Sequence, residues 1–166
     1  PMADDRDADD IYWVEPRKRG VLPLDRFHLS KSLRKTLRSE RFETTFNRAF
    51  PEVLTACAES TEDRPGTWIN GQIENAVLQL HAAGHAHSIE TWFEGQLVGG
   101  LYGISLGRAF FGESMFSRRE VGGTNASKLC LLELQRRLVA GGFVLLDSQE
   151  ANDHMAQFGG EEIPFE

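Results

Sequence analysis

Residues 110–117 read F-F-G-E-S-M-F-S, and the predicted sheet is organised around this stretch. A second run, F-V-L-L-D-S-Q at 143–149, has the same form, with apolar residues followed by polar ones. Strand ends are where a rigid sheet presents polar side chains to a ligand, so Glu113, Asp147 and Gln149 are candidate site residues. Either carboxylate alone is more often a solvated strand-end group. Their pairing among Phe and Met favours a site.

The composition is that of an ordinary globular protein. The chain has 166 residues, 40% of them hydrophobic and 26% charged, enough for one domain with a core or one domain plus a small appendage. It contains no apolar run near the ~20 residues of a membrane span and no secretory signal. Cys57 and Cys130 fall in predicted helices and indicate buried thiols in a reducing compartment. We therefore expect a cytoplasmic location.

The charge is unevenly distributed along the chain. The formal net charge is -7, but residues 17–41 carry nine basic side chains against Asp25 and Glu40. Local potential decides whether a polyanion docks, so this segment is compatible with a nucleic-acid partner despite the acidic total.

A basic helix is predicted at 31–39, with Ser30 as its N-cap. Leucines at four-residue spacing line one side, at Leu29, Leu33 and Leu37. Cations line the other side, at Lys31, Arg34, Lys35 and Arg38. This pattern is typical of a helix that contacts a phosphate backbone. A solvated surface helix is the alternative from this segment alone.

The remaining pattern predicts an α+β layout with a mixed central sheet. Helices are predicted at 49–59, from the Asn70 cap to Gly84, at 125–140 and at 152–158. Glu94-Gly95 is a hairpin turn signal. Extended segments are predicted at 11–14, 20–24, 42–46, 86–93, 96–105, 108–116, 143–147 and 162–165.

His81, His85 and His87 do not form a metal-site pattern. A helix end, a glycine stop and a new strand lie between them, and no carboxylate or Cys completes a known ligand spacing. We predict structural histidines and no metal.

Several short motifs together resemble leucyl/phenylalanyl-tRNA–protein transferases over nearly the whole chain. They are T-W-I at 67–69, G-H-A-H-S-I-E-T-W at 84–92, L-V-G-G-L-Y-G at 97–103, F-G-E-S-M-F-S-R at 111–118, N-A-S-K at 125–128, D-S-Q at 147–149 and F-G-G-E-E-I-P at 158–164. Each motif is short, and their combination is highly specific.

The resemblance implies a GNAT-like (N-acetyltransferase-like) domain, with a mixed, largely antiparallel central sheet flanked by helices. On this basis 1–40 is the remnant of a smaller N-terminal domain with its basic linker helix, and 41–166 is the catalytic domain. Most of the N-terminal domain is then absent and the C-terminus is short. The implied activity is transfer of Leu or Phe from aminoacyl-tRNA to proteins with N-terminal Arg or Lys, which tags them for degradation in the N-degron pathway. No cofactor and no membrane partner are expected.

The resemblance also assigns the candidate catalytic residues. Asp147 and Gln149 match the family's catalytic pair, and Glu113 matches its active-site carboxylate. The Gln149 carbonyl oxygen can accept a hydrogen bond from the attacking amine, while Asp147 orients and polarises the amide. Glu113 can hold the donor's amino group or its terminal ribose. Proton transfer through the tRNA ribose hydroxyl stays open.

Substrate-binding residues follow from the same comparison. Family pocket positions are occupied by Met2, Leu101, Phe110, Met115, Leu134 and Leu146. Core packing is the alternative for each of them. Trp68 can stack on the terminal adenine, since aromatic faces bind unpaired bases at ~1–3 kcal/mol each, with a core Trp as the alternative. Lys31, Arg34, Lys35 and Arg38 match the acceptor-stem contact.

Residues 119–124, R-E-V-G-G-T, depart from the family pattern because they lengthen the link into N-A-S-K. Arg119, Gly122 and Thr124 come near the loop that binds the coenzyme A pyrophosphate in acetyltransferases, although Thr replaces the final Gly or Ala. Two rivals therefore remain. One is an acyl-CoA-dependent N-acyltransferase on the same fold, and the other is a non-catalytic module that binds tRNA or protein N-termini.

Overall fold

The structure, a computed structural model, describes residues 1–62, 64–149 and 151–164. Its helices are α1 (Lys31–Arg38), α2 (Phe50–Ala58), α3 (Gly71–Ala82), α4 (Ala126–Ala140) and α5 (Asp153–Ala156). Its strands are β1 (Lys18–Val21), β2 (Phe42–Phe46), β3 (Ala86–Phe93), β4 (Gln96–Leu106), β5 (Ala109–Ser117), β6 (Leu145–Gln149) and β7 (Glu161–Pro164).

The strands form one seven-stranded sheet in the order β2-β3-β4-β5-β6-β1-β7. Strands β5 and β6 pair in parallel, and the other neighbouring strands pair antiparallel. The predicted α+β architecture with a mixed, largely antiparallel sheet is confirmed. Among the described residues, no helix has the length and apolar character needed to cross a membrane.

Local signals explain most of the elements. Ser30 Oγ accepts a hydrogen bond from Leu33 N at 3.2 Å, and Asn70 Oδ1 accepts one from Ile73 N at 3.0 Å, so the predicted N-caps of α1 and α3 are confirmed. Glu94 and Gly95 both have positive φ, as a two-residue hairpin turn between β3 and β4 requires.

Three details of the sequence prediction are wrong. Residues 11–14 do not form a strand, because only Tyr12 pairs, in an isolated bridge with Met2, and the segment is exposed. In α1, Leu33 is fully buried but Leu37 is 40% exposed, because α1 packs mainly against α4 and its leucine side is only partly covered. Strand β6 begins at Leu145 rather than Phe143 and includes Gln149, so Asp147–Gln149 lie within the strand.

The core consists of two apolar layers. One joins α2 and α3 to the sheet through Phe50, Val53, Ile73 and Tyr102. The other joins α4 and α1 to it through Leu33, Leu101, Leu131, Leu134 and Leu146. Cys57 and Cys130 are free and buried, one in each layer, and burial raises the pKa of each thiol to about 12. Neither cysteine is a nucleophile near neutral pH.

A buried carboxylate ties the start of α2 to the sheet. Glu90 on β3 is fully buried and accepts hydrogen bonds from Thr45 Oγ1 at 2.6 Å and from Ala49 N, just before α2, at 3.1 Å. Ser88 Oγ donates to the same carboxylate. These bonds meet the requirement that a buried polar group be hydrogen-bonded, so Glu90 is a structural residue.

The start of α4 lies directly on β4. A Cβ added at Gly99 would lie 2.5 Å from Ala126 Cβ and 2.9 Å from the Ala126 carbonyl carbon. Only a residue without a side chain allows the helix this close, and this approach sets the position of α4 above the sheet.

We expect Gly99→Ala to destabilise the protein by about 1–3 kcal/mol, because the added methyl must push α4 off the sheet. The measurement is urea unfolding followed by circular dichroism. Gly71→Ala is the matched control, because an added Cβ there meets nothing within 4 Å. Equal stability of the two variants would contradict the role of Gly99 in placing α4.

Candidate functional site

The site lies where two parallel strands separate. Strands β5 and β6 pair over Ala109–Phe111 and Leu145–Asp147. Beyond that point β5 runs on to Ser117 without β6 as a neighbour. The gap opens beside Gly112–Met115 on β5 and Ser148-Gln149 on β6. Candidate residues from both predicted runs therefore face one opening.

A β-bulge places Glu113 in this gap. Tyr102 pairs with Ser114 and Gly103 pairs with Gly112, so Glu113 is an extra residue without a partner on β4. A bulge redirects a side chain and interrupts the strand ladder. Burial raises the pKa of Glu113 above its ordinary value, and the Gln149 side chain and the Arg19 guanidinium partly oppose this rise.

Asp147 is held by an arginine that the sequence analysis did not assign to the site. Arg19 on β1 donates from Nε to Asp147 Oδ2 at 3.0 Å and from Nη2 to Oδ1 at 2.9 Å. Asp147 is only 4% exposed, so this two-bond geometry compensates a charge that would otherwise be costly to bury. The sequence places Arg19 among nine cations of one segment, and only the pairing of β1 with β6 selects it.

Gln149 is close to Asp147, but not through its side-chain amide. Its backbone N donates to Asp147 Oδ1 at 2.6 Å, while its Nε2 donates to the Gly112 carbonyl at 3.1 Å. Because Nε2 makes the second bond, Oε1 is the amide atom that can accept a hydrogen bond from a ligand. Gln149 has a φ of 70°, an uncommon and strained conformation for a residue other than glycine. Asp147 therefore positions the backbone of Gln149 rather than the amide itself.

An apolar cavity of about 170 Å³ extends from the gap into the core beneath α4. Four of the predicted pocket residues line it, at Leu101, Met115, Leu134 and Leu146. Leu22, Leu131 and Met155, which the sequence analysis did not name, complete its apolar wall. Two of the lining residues are methionines, whose flexible side chains adapt to different shapes.

The other two predicted pocket residues lie elsewhere. Phe110 is buried in the core against Gly103 and borders a separate cavity with Leu138 and Phe143. Phe110 belongs to the same buried cluster as Leu101, Leu134 and Leu146, but it lies at the start of β5, on the far side of Gly103 from Leu101. Met2 lines a second cavity outside the gap, together with Trp68, Val14 and Pro16.

This second cavity has a volume of about 350 Å³ and also borders Gln149. Three residues line both it and the apolar cavity, namely Glu113, Ser148 and Asn152. A ligand that fills both cavities must therefore pass these three polar side chains.

Ser148 is a further residue that the sequence analysis missed. It shares a face of β6 with Leu146, since side chains two apart point the same way. Its Oγ is buried and has no hydrogen-bond partner among the described residues. A buried hydroxyl without a partner on a cavity wall is a candidate ligand contact.

The basic helix presents its cations to solvent. Lys31, Arg34, Lys35 and Arg38 are all exposed, and none has an ion pair within the described part of the chain. Asn125, at the start of α4, donates from Nδ2 to Ser32 Oγ at 3.0 Å and to Thr36 Oγ1 at 3.1 Å. These bonds attach α1 beside the site without using its charged face.

The histidines have structural contacts. His81 stacks on Phe50 with ring centroids 4.0 Å apart, and His87 Nδ1 lies 2.9 Å from Asn47 Nδ2. No group of three metal-ligating side chains was found among residues 1–62, 64–149 and 151–164.

Comparison with known proteins assigns the chain to a family. The family model described as leucyl/phenylalanyl-tRNA protein transferase matches residues 21–166. The chain belongs to this family. It is 61% identical over 163 residues to the leucyl/phenylalanyl-tRNA–protein transferase of Rhizorhabdus wittichii, which covers 98% of this chain and 64% of that protein. The transferase of Zymomonas mobilis is 57% identical over 163 residues, which is 98% of this chain and 59% of that protein.

The chain thus spans about three fifths of the length of these two transferases, and 76% of a third, 56% identical over 98% of this chain, from Paramagnetospirillum magneticum. Among solved structures, FemX superposes with a TM-score of 0.68 at 12% identity, covering 96% of this chain and 62% of FemX. L-PGS from Bacillus licheniformis gives a TM-score of 0.56 at 13% identity, covering 82% of this chain and 48% of L-PGS. These likenesses concern the fold alone and agree with the predicted GNAT-like fold.

The Arg19–Asp147 pair generates a prediction about stability in this family member. We expect Arg19→Met and Asp147→Asn each to cost about 3 kcal/mol, because each leaves a buried charge without its partner. The double variant should cost less than the sum of the two, by about 1–3 kcal/mol. A double-mutant cycle in urea measures this coupling.

The neighbouring pair Lys18–Glu162, which joins β1 to β7, is the control for that cycle. Its side chains are 64% and 47% exposed, so its coupling should stay below about 1 kcal/mol. Additive effects for Arg19 and Asp147 would show that the buried pair is not energetically coupled.

The raised pKa of Glu113 predicts a pH-dependent stability. At pH 3.5 or below, the carboxyl is mostly protonated in both states, taking an ordinary Glu pKa of about 4.3. As the pH rises, the folded state must hold a charge that burial disfavours, and stability is lost. We therefore expect Glu113→Gln to gain more stability relative to the wild type at pH 7 than at pH 3.5.

Urea unfolding at these two pH values measures the difference, with Glu15→Gln on an exposed side chain as the matched control. A gain from Glu113→Gln that is larger at pH 3.5 would have the wrong sign for a buried carboxylate.

Proposed function

We propose that this chain transfers Leu or Phe from aminoacyl-tRNA to the α-amino group of proteins with N-terminal Arg or Lys. The observation that carries the proposal is the common boundary of the two cavities. An apolar cavity and a cavity bordered by Trp68 meet at Glu113, Ser148 and Asn152. An aminoacyl-adenosine has the same organisation, with an apolar side chain and an aromatic base on either side of one polar ester.

The apolar cavity supports the choice of donor. Leucine and methionine side chains line it, and they favour a hydrophobic amino acid of adaptable shape. Beside it, the Trp68 ring provides a face on which the unpaired terminal adenine stacks. The ester that joins the two parts of the donor then lies at Glu113 and Ser148. The Glu113 carboxylate binds the donor's α-amino group, and the Ser148 hydroxyl donates to the ester carbonyl.

The acceptor amine approaches from the side of Gln149. Because Nε2 of Gln149 is bonded to the Gly112 carbonyl, Oε1 is the atom that accepts a hydrogen bond from the amine. The amine nitrogen attacks the ester carbonyl carbon, and the bond from that carbon to the ribose oxygen breaks. One proton passes from the amine to the departing ribose oxygen. The ester is already activated, so positioning supplies much of the acceleration.

The remaining site residues support this geometry. Arg19 holds Asp147, Asp147 holds the backbone of Gln149, and the strained φ of Gln149 aims its side chain at the gap. Asn125 bonds α1 to the start of α4, and the four exposed cations of α1 provide a phosphate-binding surface for the acceptor stem. The division of the chain into an N-terminal remnant (1–40) and a catalytic domain (41–166) remains part of this proposal.

The test is transfer of labelled leucine from Leu-tRNA to peptides that begin with Arg, Lys, Asp or Glu. We expect labelling of the Arg and Lys peptides, and a loss of at least about 100-fold in kcat/KM with Gln149→Ala, because the amine loses its orienting acceptor. A parallel assay with acetyl-CoA should show no transfer. Acetylation without leucine transfer would establish the CoA-dependent alternative. Binding of Leu-tRNA without any turnover would reduce the chain to a binding module.

A further inference from the structure

A further cavity belongs to neither part of the proposed site. It has a volume of about 670 Å³ and lies between the end of α2, the end of β5 and the start of α4. Its wall carries four permanent cations, Arg64, Arg118, Arg119 and Lys128, against the two carboxylates of Glu59 and Glu120. The wall therefore has an excess of positive charge on an acidic protein.

Two of these cations contact the protein around Glu59. Arg118 lies 3.6 Å from Glu59 and donates to the Leu97 carbonyl, and Arg64 donates to the Glu59 carbonyl at 3.1 Å. Arg64, Arg119 and Lys128 have no carboxylate within 4.0 Å in the described part of the chain. Arg64 donates instead to the backbone carbonyls of Ala56 and Glu59, which leaves Arg119 and Lys128 as the two cations available to a ligand. Lys128 is half-buried, which makes its missing counter-charge more costly.

Arg119 and Lys128 both lie near His154. His154 lines the same cavity, and burial, together with the nearby charges of Lys128 and Arg119, lowers the pKa of its imidazole. His154 is therefore mostly neutral at neutral pH and adds no charge of its own. A neutral imidazole does not repel an anion, and it can donate one hydrogen bond to it.

The position of the cavity connects two parts of the proposed site. Asn125 lines it and is bonded to Ser32 and Thr36 of α1, the basic helix. Met115 lines both this cavity and the apolar cavity. The cavity therefore adjoins both α1 and the apolar cavity, and Arg119 and Lys128 lie on its wall.

We propose that this cavity receives phosphodiester groups of the single-stranded 3′ end of the donor tRNA, with Arg119 and Lys128 as their contacts. The inference rests on the proposed function and names the path of that donor. Phosphate oxygens supply the counter-charge that Arg119 and Lys128 lack among the described residues, and the Thr124 and Ser127 hydroxyls of the wall supply hydrogen-bond donors. The pyrophosphate of coenzyme A has the same chemistry, so the experiment must separate the two sources.

The experiment compares two leucyl donors in the transfer assay. Leu-tRNA carries the 3′-terminal phosphates, and leucyl-adenosine carries the same ester without any phosphate. The variant is Arg119→Gln/Lys128→Gln, and the charge-matched control is Arg136→Gln/Arg137→Gln, on the part of α4 away from the cavity. Thermal unfolding verifies that both variants are folded.

We expect the cavity variant to raise KM for Leu-tRNA about tenfold or more, with kcat unchanged, while transfer from leucyl-adenosine stays at the wild-type level. The slope of log KM against log salt should fall by about 1.4, the value for two lost contacts to a single strand. Equal losses with both donors would overturn the proposal, since Arg119 and Lys128 would then act on the ester rather than on phosphate. An unchanged KM for Leu-tRNA would overturn it as well.

Two further arms keep the result decisive. If the wild type transfers leucine from neither donor, the proposed function fails, and binding of uncharged tRNA at several salt concentrations tests the cavity by itself. Weaker binding with a smaller salt slope in the cavity variant supports the inference, and identical binding overturns it. Thermal stabilisation by coenzyme A that is lost in this variant, with tRNA binding unchanged, would assign the cavity to a pyrophosphate and overturn the donor path.

Discussion

The site depends on the limited pairing of β5 with β6. Three residues of each strand are in register, and the strands then part, which opens the gap without an unpaired strand running through the core. The Arg19–Asp147 pair fixes the position of β6 on the other side of the gap, because it ties β6 to β1 at the point of divergence. Removal of Arg19 leaves the Asp147 carboxylate, which is 4% exposed, without its counter-charge.

From this constraint the chemistry of the gap follows. Its floor is apolar and its rim holds a carboxylate, a hydroxyl and an amide, a combination suited to orienting an ester and an amine. Burial raises the pKa of Glu113, while Gln149 keeps a strained backbone beside it. A strained backbone persists only where surrounding contacts hold it in place. Here the two hydrogen bonds that Gln149 donates, to Asp147 and to Gly112, hold it.

Positive charge is concentrated on part of the surface. The chain is acidic in total, yet the exposed cations of α1 and the unpaired cations of the large cavity are joined through Asn125. A polyanion is attracted to this side and repelled by the rest of the surface, which orients its approach. The family to which the chain belongs, and the proposed donor, are consistent with that polarity.

The sequence by itself determined most of the elements and the place of the candidate site. Caps at Ser30 and Asn70, the Glu94-Gly95 turn and the polar ends of two apolar runs depend on residues within four positions of each other, so local rules predict them. Only the tertiary structure decided which partners meet. Arg19 is 128 residues from Asp147, and Phe110, Leu37 and Ser148 obtain their surroundings from strand register and helix docking. Register reverses every side chain with a shift of one residue, and no local pattern along the chain sets it.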